Sequence, residues 1–141
     1  MTNKCGFLPA AVAEYAARKG WETSYEETHL GPECELTGVT VQYSIGTKTR
    51  KLSLVTVKIR NKGDNYLVEV DVHHKLANVE EDDTYGIWDY INDNIVNMYK
   101  PKHGSSGKRS ATELSLNSDD LLDFLKFLDA TVPSLFEERE D

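Results

Sequence analysis

Long apolar runs are missing from this sequence. None exceeds a few residues, against the ~20 needed to cross a bilayer, so neither a spanning helix nor a membrane partner is expected. Cysteine is scarce. Cys5 and Cys34 are the two in 141 residues, without metal-type spacing, and reduced thiols are the expectation, with a disulfide between them the alternative. The opening segment has no basic stretch ahead of an unbroken apolar one, because Glu14 and Arg18 intrude, so no leader is read and the expected location is the cytoplasm. No internal repeat is visible, which excludes a solenoid or propeller. Basic charge is also in short supply. Sixteen Lys and Arg stand against 24 Asp and Glu, a net charge of −8 that disfavours a surface built wholly for nucleic acid.

What is present suits one domain. At 39% hydrophobic, the chain can bury one core. Leu8, Val12, Tyr15 and Ala16 share one face of a helix expected from Leu8 to Lys19, with Pro9 in its first turn and Gly20 as its stop. Residues 21–32 are polar and acidic and read as an irregular connection or a short strand. Three strands follow. Val39, Val41, Tyr43 and Ile45 alternate with polar residues, as do Val55, Val57 and Ile59, and then Tyr66, Val68, Val70 and Val72. Turn-rich spacers at 46–49 and 61–65 make these strands antiparallel hairpins.

A second helix is expected from Asp83 or Thr84 to Tyr99, burying Ile87, Ile91, Ile95 and Met98 with Trp88 beside them. A basic, flexible loop covers 100–110 and a fourth strand 111–116. A third helix is capped by Asn117 or Ser118, buries Leu121, Phe124, Leu125, Phe127 and Leu128, and closes at Pro133. The expected fold is therefore α+β, a four-stranded and mainly antiparallel sheet packed against helices in the order α-β-β-β-α-β-α. A single domain would span 1–136, with an acidic tail at 137–141.

Charge is segregated along the chain. Residues 47–62 carry six bases and no acid, and residues 100–110 four bases and no acid, whereas residues 63–99 hold nine acids against one base. Alternation puts Lys58 and Arg60 on the same wet face as Glu69 and Asp71, where opposite charges stabilise a sheet by ~0.2–1 kcal/mol per pair. Lys48, Arg50 and Lys51 lie near a turn with no acidic partner implied, and with Lys100, Lys102, Lys108 and Arg109 they are candidates for an external anion or nucleic acid. The loop departs from a phosphate-cradling P-loop because Lys102 occupies the place of its first glycine. Glu80, Glu81, Asp82 and Asp83 form the candidate docking patch for a basic protein.

Catalytic and metal signatures are wanting. His73 and His74 are adjacent on a strand and point to opposite faces. His29 and His103 stand in loops without ligands at a telling spacing. Neither Cys34 nor Ser105 has a local base to activate it. No metal or other cofactor is expected, and the chain is read as a non-enzyme.

Two family resemblances can be drawn. The order α-β-β-β-α-β over residues 8–116 resembles the PD-(D/E)xK nucleases. That likeness implies metal-holding acids at Asp64 and Glu69, but Asp71 stands where the family has its lysine. Gly107-Lys108-Arg109 followed by Glu113-Leu114-Ser115-Leu116-Asn117 and an amphipathic helix looks like the ending of PC4-type single-stranded-DNA-binding domains. The helix around Trp88 and the acid-rich third strand depart from that pattern.

The function expected is that of a regulatory or inhibitory module. It would bind a protein partner through an acidic surface, competing for a basic or nucleic-acid-binding site. The alternative is a single-stranded nucleic-acid binder using the basic turn and loop, and the outsider is a degenerate nuclease fold.

Overall fold

The computed structural model describes residues 5–45, 47–72 and 94–138, with the backbone alone for 40–45, 48–54 and 134–138. Helix α1 (Ala10–Arg18) starts behind Pro9 and buries Val12, Tyr15 and Ala16. Gly20 ends it at φ +80°, a conformation open to glycine at little cost. There the Trp21 N–H donates to the Ala16 carbonyl at 2.9 Å and the Gly20 N–H to that of Ala17 at 3.3 Å, a Schellman closure.

The chain then lays down β1 (Glu22–Thr28), β2 (Gly31–Ile45), β3 (Lys48–Lys62) and β4 (Asn65–Val72). Helix α2 is described over residues 94–98. Strands β5 (Gly107–Lys108) and β6 (Glu113–Leu116) and helix α3 (Ser118–Glu138) complete the described chain. The sheet of described strands has the order β1-β2-β3-β4-β6-β5, and every neighbouring pair in it is antiparallel.

The α+β class and antiparallel sheet agree with the sequence reading, but six strands replace the expected four. Strand β1 is polar on both faces because it lies at the edge of the sheet, where of its inward positions Tyr25 alone packs against the core. An edge strand that buries so little shows no apolar alternation. Strand β5 is two residues long, too short for any period.

Strand β2 starts at Gly31 rather than near Val39, and its phase also differs. Cys34, Leu36 and Gly38 face Ile59, Val57 and Val55 in the register. Val39 is out of phase with them, yet it is 2% exposed at φ +59°. A β-branched residue in that left-handed region is a genuine steric outlier.

Val55, Val57, Ile59, Val68, Val70 and Val72 all lie on one face with 1% exposure or less, as the alternation requires. Helix α3 covers that face with Leu121, Phe124, Leu125, Leu128 and Val132, and α1 and residues 95, 96 and 99 join the same cluster. Each such side chain contributes ~1.5–3 kcal/mol on burial, against ~0.2–1 for a surface pair. Burial therefore decides which face of the sheet is inside.

Two further expectations are corrected. Cys5 and Cys34 are not thiols but a disulfide, with Cα atoms 5.6 Å apart, which ties the segment before α1 to β2. The Tyr66 hydroxyl adds a second tie by donating to the Phe7 carbonyl at 3.3 Å. Pro133 does not close α3, which runs on to Glu138. The helix forgoes the one backbone bond that the proline lacks, to the carbonyl of Asp129, while Val132 beside it is fully buried. Of the second helix, Ile95 is buried and Met98 packs against the core as expected, whereas Ile87, Trp88 and Ile91 lie outside the described residues.

Candidate functional site

The face of the sheet turned away from the helices is dominated by carboxylates. The register sorts it into rows. One row runs Glu22, Thr37, Thr56, Asp71, and the next Ser24, Glu35, Lys58, Glu69, Glu113. In a third row Glu26 faces Glu33, and Arg60 faces Leu67, which faces Ser115. Two of these neighbours are like-charged, Glu26 against Glu33 and Glu69 against Glu113.

Arg60 is neutralised within the fold. Its Nη1 stands 3.0 Å from Glu33 Oε2, with the two side chains 18% and 10% exposed. The expectation that Arg60 serves a carboxylate holds in kind, but the carboxylate is Glu33 on β2. Lys58 stands between Glu35 and Glu69 in the register and is exposed. Its position opposite Glu69 is the one read from the alternation.

The basic loop is not a free connector. Asp120, fully buried in the first turn of α3, accepts the backbone N–H groups of Lys102 at 2.9 Å, His103 at 3.1 Å and Ser105 at 3.2 Å, together with the Ser105 hydroxyl at 2.6 Å. Asn117 Oδ1 caps the helix by accepting the Asp120 N–H at 2.9 Å, and Asn117 Nδ2 holds the His103 carbonyl at 2.7 Å. Burial alone would raise the Asp120 pKa, but the donors from Ser105, Lys102 and His103 outweigh it, and the carboxyl is held below its usual range. The N–H groups that would cradle a phosphate are thus occupied by an internal anion. Beside this knot the Tyr99 hydroxyl donates to Asp123 Oδ2 at 2.9 Å, and burial and that bond push its pKa up. Nothing in the sequence pattern marks Asp120, since a first-turn aspartate reads equally well as a solvated helix-dipole partner.

A second carboxylate, Asp129, organises the other end of α3. It accepts from the Tyr15 hydroxyl and from Trp21 Nε1 at 3.2 Å. Burial and then this bond raise the Tyr15 pKa. The held indole lies flat on Gly38, where a Cβ would meet Trp21 Cδ2 at 2.2 Å.

The two basic blocks are far apart. Lys108 is level with Leu114, Val68 and Ile59 across the sheet, eleven residues along β3 from Lys48. At ~3.3 Å per residue that is roughly 36 Å. Lys48, Arg50 and Lys51 pair in the backbone register with Ile45, Tyr43 and Gln42 at the far end of the β2–β3 hairpin. Lys100, Lys102, Lys108 and Arg109 are exposed around the Asp120 knot, with Lys108 Nζ 2.6 Å from Asn97 Oδ1. The turn and the loop therefore do not form one anion site.

Glu80, Glu81, Asp82 and Asp83 lie outside the described residues, as do His73 and His74. Asp64 sits in the β3–β4 turn, five residues from Glu69 and ~16 Å away along the strand. Among the described residues no group of three or more His, Cys, Asp or Glu is placed to hold a metal. A cavity of about 230 Å³ beside Phe7, Leu30 and Pro32 is smaller than the ~300–1,000 Å³ usual for small-molecule sites. No described helix is long and apolar enough to cross a membrane. Comparison with family models, with curated proteins and with solved structures finds no match to this chain.

Proposed function

We propose that the chain is a non-catalytic regulatory or inhibitory module whose carboxylate-rich sheet face, bare of helices among the described residues, takes a protein partner with a basic surface. The observation that carries this reading is the like-charge juxtaposition of Glu69 with Glu113, neighbours on a face that also holds Glu35 and Asp71. Such neighbours destabilise a sheet by a few tenths to ~1 kcal/mol. Nothing in the packing of the opposite face requires them. A basic partner would relieve the repulsion and be steered to the face by its field. Occupying that partner's basic surface is how the module would inhibit or regulate it.

An oligolysine peptide at physiological salt tests the reading. Binding should shift the backbone amide resonances of Glu35, Lys58, Glu69 and Glu113. The variant E35Q/E69Q/E113Q should weaken it at least about tenfold, three contacts at ~0.5 kcal/mol each. Unchanged affinity in that variant defeats the proposal. The compartment is a separate matter. The Cys5–Cys34 bridge argues for oxidising conditions, against the cytoplasm expected from reduced thiols. Thiol labelling of the protein taken directly from its native source decides between them.

A further inference from the structure

Where β1 turns into β2 and β3 ends, six described side chains line the cavity of about 230 Å³. Phe7, Leu30 and Pro32 supply carbon to it, and Arg60, Asn61 and Lys62 supply polar groups. The carbon walls are held in place. Phe7 stands between the buried Cys5 and Leu8, the first of them bridged to Cys34, and its carbonyl accepts from the Tyr66 hydroxyl at 3.3 Å. Leu30 is fixed in its turn by Thr28, whose Oγ1 accepts the Leu30 N–H at 3.1 Å and donates to the Gly31 carbonyl at 2.8 Å. The two cations differ. Arg60 is neutralised by Glu33 at 3.0 Å, whereas Lys62 is exposed and makes no ion pair among the described residues. The positive charge left for a ligand is therefore that of Lys62.

We propose that this cavity binds a small aromatic monocarboxylate, its ring against Phe7, Leu30 and Pro32 and its carboxylate at Lys62, with the Asn61 amide as a second donor. Size sets the first limit. An apolar cavity of ~150 Å³ holds benzene, six heavy atoms, so the same filling of this one takes about nine, the size of benzoate. The drug-sized ligands that occupy ~300–1,000 Å³ do not fit. Charge sets the second. One unpaired lysine matches one negative charge, and a second would face the Glu33 carboxylate that Arg60 already holds. Shape sets the third, because a planar ring gains an offset or edge-on contact with Phe7 that an aliphatic chain does not. The site shares no residue with the row of Glu35, Glu69 and Glu113, so its test is independent of the docking face.

Titration of the full chain, its bridge intact, with sodium benzoate at constant ionic strength tests the site through backbone amide resonances. Saturable shifts are expected at Phe7, Leu30, Asn61 and Lys62, with a Kd on the order of 1 mM for so small a ligand. K62Q should weaken binding about two- to fivefold, the range of an exposed ion pair. Benzamide, which keeps the ring and loses the charge, should bind the parent weaker by the same factor and should bind K62Q as well as benzoate does. F7A should cost about three- to tenfold, and K62Q keeps the test decisive if F7A does not fold. No saturation by about 20 mM benzoate, some twentyfold above that Kd, overturns the inference. So does benzamide bound by the parent as tightly as benzoate, an unchanged affinity in K62Q or in a folded F7A, or shifts centred on Lys100 to Arg109 instead.

Discussion

Burial normally drives a carboxyl's pKa upward, yet Asp120 titrates below its ordinary value because the hydroxyl of Ser105 and the N–H groups of Lys102, Ser105 and His103 outweigh desolvation. The sign of the linkage follows. Its folded pKa lies below the unfolded value of ~3.9, so its contribution is fully present above that value and is lost as pH falls through the folded pKa. The melting temperature should therefore fall as the solution is acidified below about pH 4, and D120N should flatten that part of the profile. At neutral pH the same variant should cost about 2–4 kcal/mol, because an amide cannot accept from all the donors now gathered there. Denaturant titration measures it. Gly38 is constrained by space rather than by charge. A methyl group there meets the Trp21 ring at 2.2 Å, and Asp129 holds the indole by accepting from its Nε1–H. G38A should destabilise the fold by at least about 2 kcal/mol. A G38A protein that melts with the parent would mean that the indole is not clamped as described.

The described segment before α1 belongs to no helix or strand, and the Cys5–Cys34 bridge closes it onto β2 across 29 residues. Chain-entropy reasoning assigns such a loop about 3–4 kcal/mol. That is a large part of the ~5–15 kcal/mol typical of a domain. C5S/C34S, or reduction in mild denaturant, should lower the unfolding free energy by that amount. A change under 1 kcal/mol would remove the bridge from the account of stability. Strands β4 and β6 carry the opposite lesson. Glu69 faces Glu113, so E113K should raise stability by ~0.2–1 kcal/mol while weakening oligolysine binding. A substitution that strengthened both would show that the acidic row is not a docking surface.

At the scale of the molecule, charge is divided by position rather than merely by segment. Among the described residues, acids crowd the open face of the sheet, and the outer β2–β3 hairpin carries none. Self-repulsion across the open face should be relieved by screening. The melting temperature should rise between about 20 and 300 mM sodium chloride, and E69Q/E113Q should rise less.

The sequence by itself determined the class of fold and the inward face of its sheet. Val55, Val57, Ile59 and Val68, Val70, Val72 alternate without interruption, and burial worth kilocalories per side chain leaves that pattern a single solution. It determined α1 and the start of α3 for the same reason, since their apolar stripes and caps are local. Tertiary structure decided the rest. The edge strand β1 has too little apolar content to announce itself, and the phase of β2 is set by pairing with β3 rather than by Val39 and its neighbours. Pairing of Cys5 with Cys34 depends on a fold that brings their Cα atoms to 5.6 Å. The role of Asp120 depends on four donors arriving from a loop 15 to 18 residues earlier in the chain. The separation of the two basic blocks, invisible in a linear count of charge, exists because β3 is extended and its two ends are far apart.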